Sequence, residues 1–233
     1  MLDFDLMMEV LPKLWQGVGM TGRLSMLILL LAFVLAIPLA FARNAGHRII
    51  SVPANAYILF FRGTPALIQV FLVYYGAGQF VWIRSSVAWT ILRDPFWCLI
   101  IALGMNGAAY SAELFAGAMR NVSRGVIEAA RALGLSWYAT IRTVIFPTAL
   151  RSALPAYSNE IILTIKATSL ASTITIMDLT GAARLEVART YAPFEVFITA
   201  GAIYVAITAL LTHLLKQLER RVMKHRSEAP ISN

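Results

Sequence analysis

An all-α, polytopic membrane fold with about five transmembrane helices follows from three features of the chain. Apolar residues make up 59% of it and charged residues 14%, with a mean hydropathy of +0.70, whereas soluble domains hold about 45–50% apolar and about 25% charged residues. The apolar residues come in runs long enough to cross a bilayer core about 30 Å thick at roughly 1.5 Å per helical residue. The basic residues, which give a net charge of +8, fall between and after those runs. They do not line one polar face with interleaved aromatics, so they point to membrane topology and away from nucleic acid.

The N-terminal stretch MLDFDLMMEV is acidic and lacks a basic n-region or a small-residue cleavage site, so no signal peptide is expected to be removed. Residues 24–42 carry no charge and form the first expected span. Residues 49–61 are apolar but short, and run into Gly63 and Pro65, where the residue before proline is pushed out of helical geometry. They read as an interfacial helix followed by a break. Residues 65–82 make the second span, with Pro65 at the helix start and Tyr74, Tyr75 and Trp82 toward the far interface. Trp89 and Trp97 flank the next loop. The third span, 96–119, is rich in Gly104, Gly107, Ala108, Ala109 and Gly117, small residues that let helices approach closely in lipid. A polar loop, 120–151, precedes a fourth span at 153–176 and a fifth at 194–215. The whole chain, 1–233, reads as one transmembrane domain with its termini on opposite sides.

Orientation follows from Lys and Arg, which concentrate on the cytoplasmic side of span ends. Arg43, Arg48, Arg120, Arg124, Arg131, Arg142, Arg151, Lys216, Arg220, Arg221, Lys224 and Arg226 share one side. Lys13, Arg23, Arg84, Arg93, Arg184 and Arg189 share the other, offset by Asp3, Asp5, Glu9, Asp94, Asp178 and Glu186. The N-terminus is therefore expected outside, and the 120–151 loop and the basic tail inside.

No arrangement for covalent chemistry is visible. There is no G-x-x-x-x-G-K-[ST] phosphate loop. His47, His213 and His225 are far apart and none belongs to an H-E-x-x-H pattern, and Cys98 stands alone within an apolar run, so no metal site is expected. Ser111, Ser158 and Ser169 lack a nucleophile elbow. The chain reads as a non-enzyme with no cofactor of its own.

Ionisable groups inside a membrane carry more meaning, because a charge near the bilayer centre costs on the order of 2.5–3.5 kcal/mol on insertion scales. Glu113, Glu160 and Lys166 qualify. Residue counting sets Glu113 and Arg62 at the same cytoplasmic level, as a structural ion pair in preference to a substrate contact. It sets Glu160 and Asn106 near mid-membrane, as candidates with Gln69 for a solute pathway, while a structural role for Glu160 stays open. Lys166 can snorkel outward. The hydroxyls of Thr164, Thr168, Ser169 and Thr173 face a choice between solute and their own helix carbonyls.

The polar loop holds EAARALGLSWYATIRTVIFP, Glu128 to Pro147, a helix-turn-helix pattern between apolar runs. Val126, Ile127, Ala130, Leu133 and Ile141 supply an apolar stripe, Ala129, Ala130 and Ala132 keep the first helix slim, and Gly134 permits a close turn. The spacing resembles the EAA loop of ABC importer permeases, with Val144 and Phe146-Pro147 where that motif usually carries Ile and Leu-Pro. Arg62-Gly63-Thr64-Pro65, Ala109-Tyr110-Ser111-Ala112-Glu113 and Lys166-Ala167-Thr168-Ser169-Leu170 are similar to the polar amino-acid permeases of the histidine, arginine and opine type. The resemblance implies a type I ABC importer permease fold in a bacterial inner membrane, and import of a polar amino acid or opine, with Glu160 favouring a basic one. It implies that Glu128, Ala129, Ala130, Gly134 and Pro147 couple the chain to an ATPase. The expected partners are a companion permease in a heterodimer rather than a homodimer, two ABC ATPase subunits that bind the ATP, a periplasmic solute-binding protein and the lipid bilayer, with no nucleic acid. The rival readings are a secondary transporter or channel subunit working without ATP, and a membrane enzyme.

Overall fold

The computed structural model describes residues 2–223, in which every regular element is a helix. Helix α1, Phe4–Arg43, opens where the Asp3 carboxylate accepts the Leu6 N–H at 2.9 Å. Its buried residues, Val10, Leu14, Gly17, Thr21, Leu24, Ser25, Ile28, Ala32, Ala36 and Ala40, recur every three or four positions and form one stripe along the whole helix. The first helix thus begins well before residue 24. Its early turns escaped the hydropathy reading because Asp5, Glu9 and Arg23 occupy the opposite, exposed face and dilute the apolar signal.

Helix α2, Arg48–Gly63, ends at Thr64 and Pro65, both extended, and α3, Ala66–Phe71, leaves at a sharp angle. Through a π turn at Leu72–Gly76 and a 3-10 turn at Ala77–Gln79 it continues to Gln79, and the two arms meet at 105°. Phe80 is extended, so the helix stops short of residue 82, where Gly76 and Gly78 leave the last turns without side chains to hold them. Two single turns follow, α4 at Val81–Arg84 and α5 at Trp89–Leu92. Helix α6, Pro95–Arg120, starts with Asp94 accepting the Phe96 N–H at 2.9 Å and with Pro95 in the first turn, where its missing N–H costs least.

Helix α7, Arg124–Ala132, and the single turn α8, Trp137–Thr140, lead through a π turn at Ile141–Ile145 into α9, Phe146–Ala167. Pro147 has no N–H to offer the carbonyl four residues back, and the ladder widens immediately before it. The rod therefore begins at Trp137, well before residue 153, and tightens into a 3-10 turn at Thr168–Ile174. Thr175, at φ 69°, ends it, so the helical run stops before residue 176. Helix α10, Leu179–Thr190, departs at 47°, and α11, Pro193–Met223, closes the described chain. His225, Lys224, Arg226 and the polar end 227–233 lie outside the described residues.

Helix α6 runs through the centre, flanked by α1, α2 and α9. A β-carbon on Gly104 would meet the Leu31 side chain at 2.6 Å, and one on Gly107 would meet the Ala32 methyl at 3.2 Å, so the side chains of α1 pack directly against the glycine backbone of α6. In lipid, where apolar surface has little reason to leave its surroundings, such close van der Waals packing holds helices together. Gly117 has no comparable neighbour and is not part of this contact. Three helices, Phe4–Arg43, Pro95–Arg120 and Pro193–Met223, are long and apolar enough to cross a membrane, and up to five crossings result if each bent pair counts as one.

Candidate functional site

The polar centre grows out of the break between α2 and α3. A break frees backbone carbonyls, and these need donors where water is scarce. Gln69 supplies them: its amide donates to the Phe61 carbonyl at 2.9 Å, to the Thr64 carbonyl at 3.1 Å and to the Thr64 hydroxyl at 2.7 Å. Asn106 of α6 donates to the same Phe61 carbonyl at 3.0 Å and to Gln69 Oε1 at 3.0 Å. Gln69 is 4% exposed and fully engaged in holding this corner.

Beside that corner lies a cavity of about 240 Å³ between α1, α6 and α9, lined by Ile28, Leu103, Asn106, Gly107, Tyr110, Glu160, Leu163, Thr164 and Ala167. Asn106 and Glu160 thus come together, while Gln69 stays behind the wall. Both Asn106 N–H groups are spent, and its Oδ1 has no donor among the described residues. Glu160 likewise forms no hydrogen bond or ion pair among them, and the Tyr110 and Thr164 hydroxyls can donate or accept, so the cavity holds one carboxylate, one amide oxygen, two hydroxyls and no cationic side chain. That chemistry suits a cation or a hydrogen-bond donor. Thr168, Ser169 and Thr173 donate to the carbonyls of Ile165, Lys166 and Leu170, so those hydroxyls serve their own helix, whereas Thr164 faces the cavity.

A second centre surrounds Glu113. Its carboxylate lies 2.9 Å from Arg62, 2.8 Å from Arg43 and 3.5 Å from Arg120. Arg43 also donates to Asn55, and Arg120 to Asn44, at 2.9 Å each. The last turns of α1, α2 and α6 each carry one of these arginines, placed where a cation also meets the negative end of its helix dipole. In the sequence Arg43 and Arg120 register only as topology charges; their shared last-turn position is the signal that could have joined them to Glu113.

The third feature is the turn between α7 and α8. Gly134 sits at φ 83°, its N–H bonds the Arg131 carbonyl at 2.9 Å, and Leu135 N–H bonds the Ala130 carbonyl at 3.2 Å. This crossed pair is a Schellman closure, which needs the left-handed conformation glycine adopts freely. Glu128 and Ala129 are exposed, Ala130 is buried and Pro147 is half-buried. The expected apolar stripe divides: Ile127 and Ile141 pack on the core, but Val126 and Leu133 face outward, 49% and 84% exposed. With Leu135, Trp137 and Tyr138 they leave an apolar surface around the turn, and Arg131 stacks over Trp137 at 5.1 Å.

A bundle of long apolar helices with a carboxylate-bearing cavity and an exposed helical turn points to a membrane transport component, and the comparisons agree. Residues 28–224 match the family described as the binding-protein-dependent transport system inner membrane component, and the chain belongs to that family. It is 47% identical over 219 residues to the nopaline transport system permease protein NocM of Agrobacterium fabrum, covering 94% of this chain and 91% of the relative. It is 43% identical over 215 residues to the arginine ABC transporter permease protein ArtM of Haemophilus influenzae, covering 92% and 94%. A crystal structure of an amino acid ABC transporter with histidines superimposes with a TM-score of 0.84 at 32% identity, over 95% of this chain and 99% of that one. The fold is that of type I ABC importer permeases, and the chain is a multi-pass inner-membrane permease subunit of an importer of that class.

Proposed function

We propose that the solute is a basic amino acid or an opine, that Glu160 and Asn106 receive its cationic group, and that the turn at Gly134 transmits ATPase motion to α9. The observation that carries this reading is a cavity whose lining includes the Glu160 carboxylate and the uncommitted Asn106 Oδ1, with the Tyr110 and Thr164 hydroxyls, and no cationic side chain. Its volume of about 240 Å³ is below the roughly 300–1,000 Å³ usual for ligand sites, which fits a half-site completed by a companion permease. A heterodimer leaves room for a companion that presents the carboxylate-binding half. Gln69 acts in this reading by fixing Asn106 rather than by touching solute. The exposed apolar surface at Val126, Leu133, Leu135 and Trp137 is the face offered to an ATPase subunit in this reading, with Glu128, Ala129, Ala130 and Pro147 shaping the two helices behind it. In this orientation residues 24–42, 65–79, 96–119, 153–174 and 194–215 cross the bilayer, the N-terminus is periplasmic and the 120–151 loop is cytoplasmic.

Proteoliposomes holding the permease pair with its ATPase, supplied with the periplasmic binding protein, test the reading. Uptake of L-arginine should require internal ATP and exceed uptake of L-glutamine. Uptake without ATP, or equal uptake of both, would overturn it.

A further inference from the structure

Tyr110 belongs to the wall of two cavities. One, of about 480 Å³, is shared with Arg43, Arg62 and Glu113, and the other, of about 240 Å³, with Asn106 and Glu160. The Arg62 guanidinium carbon lies 5.3 Å from the centre of the Tyr110 ring, on a face that attracts cations. From there Arg62 donates to Glu113 at 2.9 Å, and the same tyrosine also walls the cavity that holds Glu160.

The two carboxylates depend on Arg62 very differently. Glu113 keeps Arg43 at 2.8 Å and Arg120 at 3.5 Å if Arg62 departs. Glu160 has no ion pair or hydrogen bond among the described residues, and a half-buried carboxylate in that position draws whichever cation can reach it. The backbone on which Arg62 stands is fixed, because the Phe61 carbonyl next to it accepts from both Gln69 and Asn106. Only the side chain is left to move.

We propose that Arg62 sets the affinity for cationic solutes: its guanidinium moves along the face of Tyr110 between Glu113, where it stands in the structure, and Glu160, where it competes with the cationic group of the solute. The proposal rests on the reading of Glu160 as the cation site. A cationic solute must displace this competitor, whereas a neutral one meets none, and Glu113 keeps Arg43 and Arg120 whichever carboxylate Arg62 occupies.

The test is equilibrium binding of radiolabelled L-arginine, with L-glutamine as the neutral control, to the detergent-solubilised complex of permease pair and ATPase without binding protein. Arg62→Gln should tighten arginine binding on the order of fivefold, the upper end for a partly exposed ion pair. It should leave glutamine binding unchanged and have no effect on arginine in a Glu160→Gln background. Arg62→Lys should restore the original affinity. Where Arg62→Gln does not assemble, Glu113→Gln provides the second reading, since releasing Arg62 toward Glu160 should weaken arginine binding; unchanged or tighter binding would count against the competition. An Arg62→Gln effect of the same size with and without Glu160 would mean that Arg62 acts through packing, and overturns the proposal. Arginine binding unaltered by Glu160→Gln alone would instead overturn the cation site itself.

Discussion

Gly17 of α1 lies so close to Asp178, at the start of α10, that a β-carbon on it would stand 2.7 Å from the Asp178 carbonyl oxygen and 2.7 Å from the Leu179 Cα. One turn further along α1, the Thr21 hydroxyl accepts the Leu179 N–H at 3.1 Å. Backbone meets backbone here, and neither side can yield by turning a side chain. Gly17→Ala should therefore destabilise the subunit by about 1–3 kcal/mol, the usual range for overpacking. Gly19→Ala, which meets nothing within 4 Å, should raise stability by roughly 0.5–1 kcal/mol through helix propensity. Thermal unfolding of the solubilised protein separates the two, and equal melting temperatures would refute the close contact.

At Gly134 the neighbourhood is empty, with nothing within 4 Å of a β-carbon, so any cost of substitution is conformational. Gly134→Val forces a β-branched residue to φ 83°, at roughly 1–2 kcal/mol, and should release the ATPase or uncouple ATP hydrolysis from uptake while the permease still inserts. Gly134→Asn should be tolerated. The check is ATPase co-purification together with ATP hydrolysed per solute imported; a Val variant normal in both would remove the docking role.

Glu160→Gln keeps size and hydrogen bonding and removes the charge. Uptake of arginine should fall by at least an order of magnitude relative to uptake of glutamine, a difference of about 1.4 kcal/mol, with assembly and ATPase activity retained. A uniform loss with poor assembly would make Glu160 structural.

Orientation is open to labelling once Cys98, which is buried and would complicate the signal, is replaced. A membrane-impermeant thiol reagent added to intact cells should label a cysteine at Ser86 and not one at Leu133, which is 84% exposed on the α7–α8 turn. Ser136 is a poorer choice there because its hydroxyl caps α8 by accepting the Ala139 N–H. Reversed labelling would invert the topology.

Asp178 caps α10 through the Gly181 N–H at 2.9 Å and accepts from the Tyr204 hydroxyl at 3.3 Å. Burial nonetheless pushes its carboxyl above the ordinary 3.8. Between that value and the raised native one, the folded state holds more protons than the unfolded state, so Asp178 costs stability as pH rises through the window. Asp178→Asn keeps the capping oxygen and does not titrate. The wild-type melting temperature should therefore gain on that of Asp178→Asn as pH falls through the window, and parallel curves would show that Asp178 does not titrate on folding.

The sequence by itself determined the all-helical membrane class, the corner at Gly63–Pro65 and the turn at Gly134. Each is written in local terms: runs of apolar residues, a proline that excludes its predecessor from the helix, a glycine free to take positive φ. The early turns of α1 stayed hidden because Asp5, Glu9 and Arg23 dilute their apolar signal, and Val10 and Leu14 find their cover only on α10 and α11, far along the chain. Contacts of that kind were decided by tertiary structure alone. The bond between Leu179 and Thr21 spans 158 residues, and the one between Arg120 and Asn44 spans 76. Residue counting can set Arg62 and Glu113 at one level, but it cannot show that α1 and α6 end side by side and bring Arg43 and Arg120 to the same carboxylate. Nor can it separate Gln69, turned into the backbone corner, from Asn106, which faces the cavity with one oxygen to spare. The side toward which a polar residue points in a bundle depends on which helices pack around it, and that depends on close approaches such as Gly104 to Leu31 that no local pattern encodes.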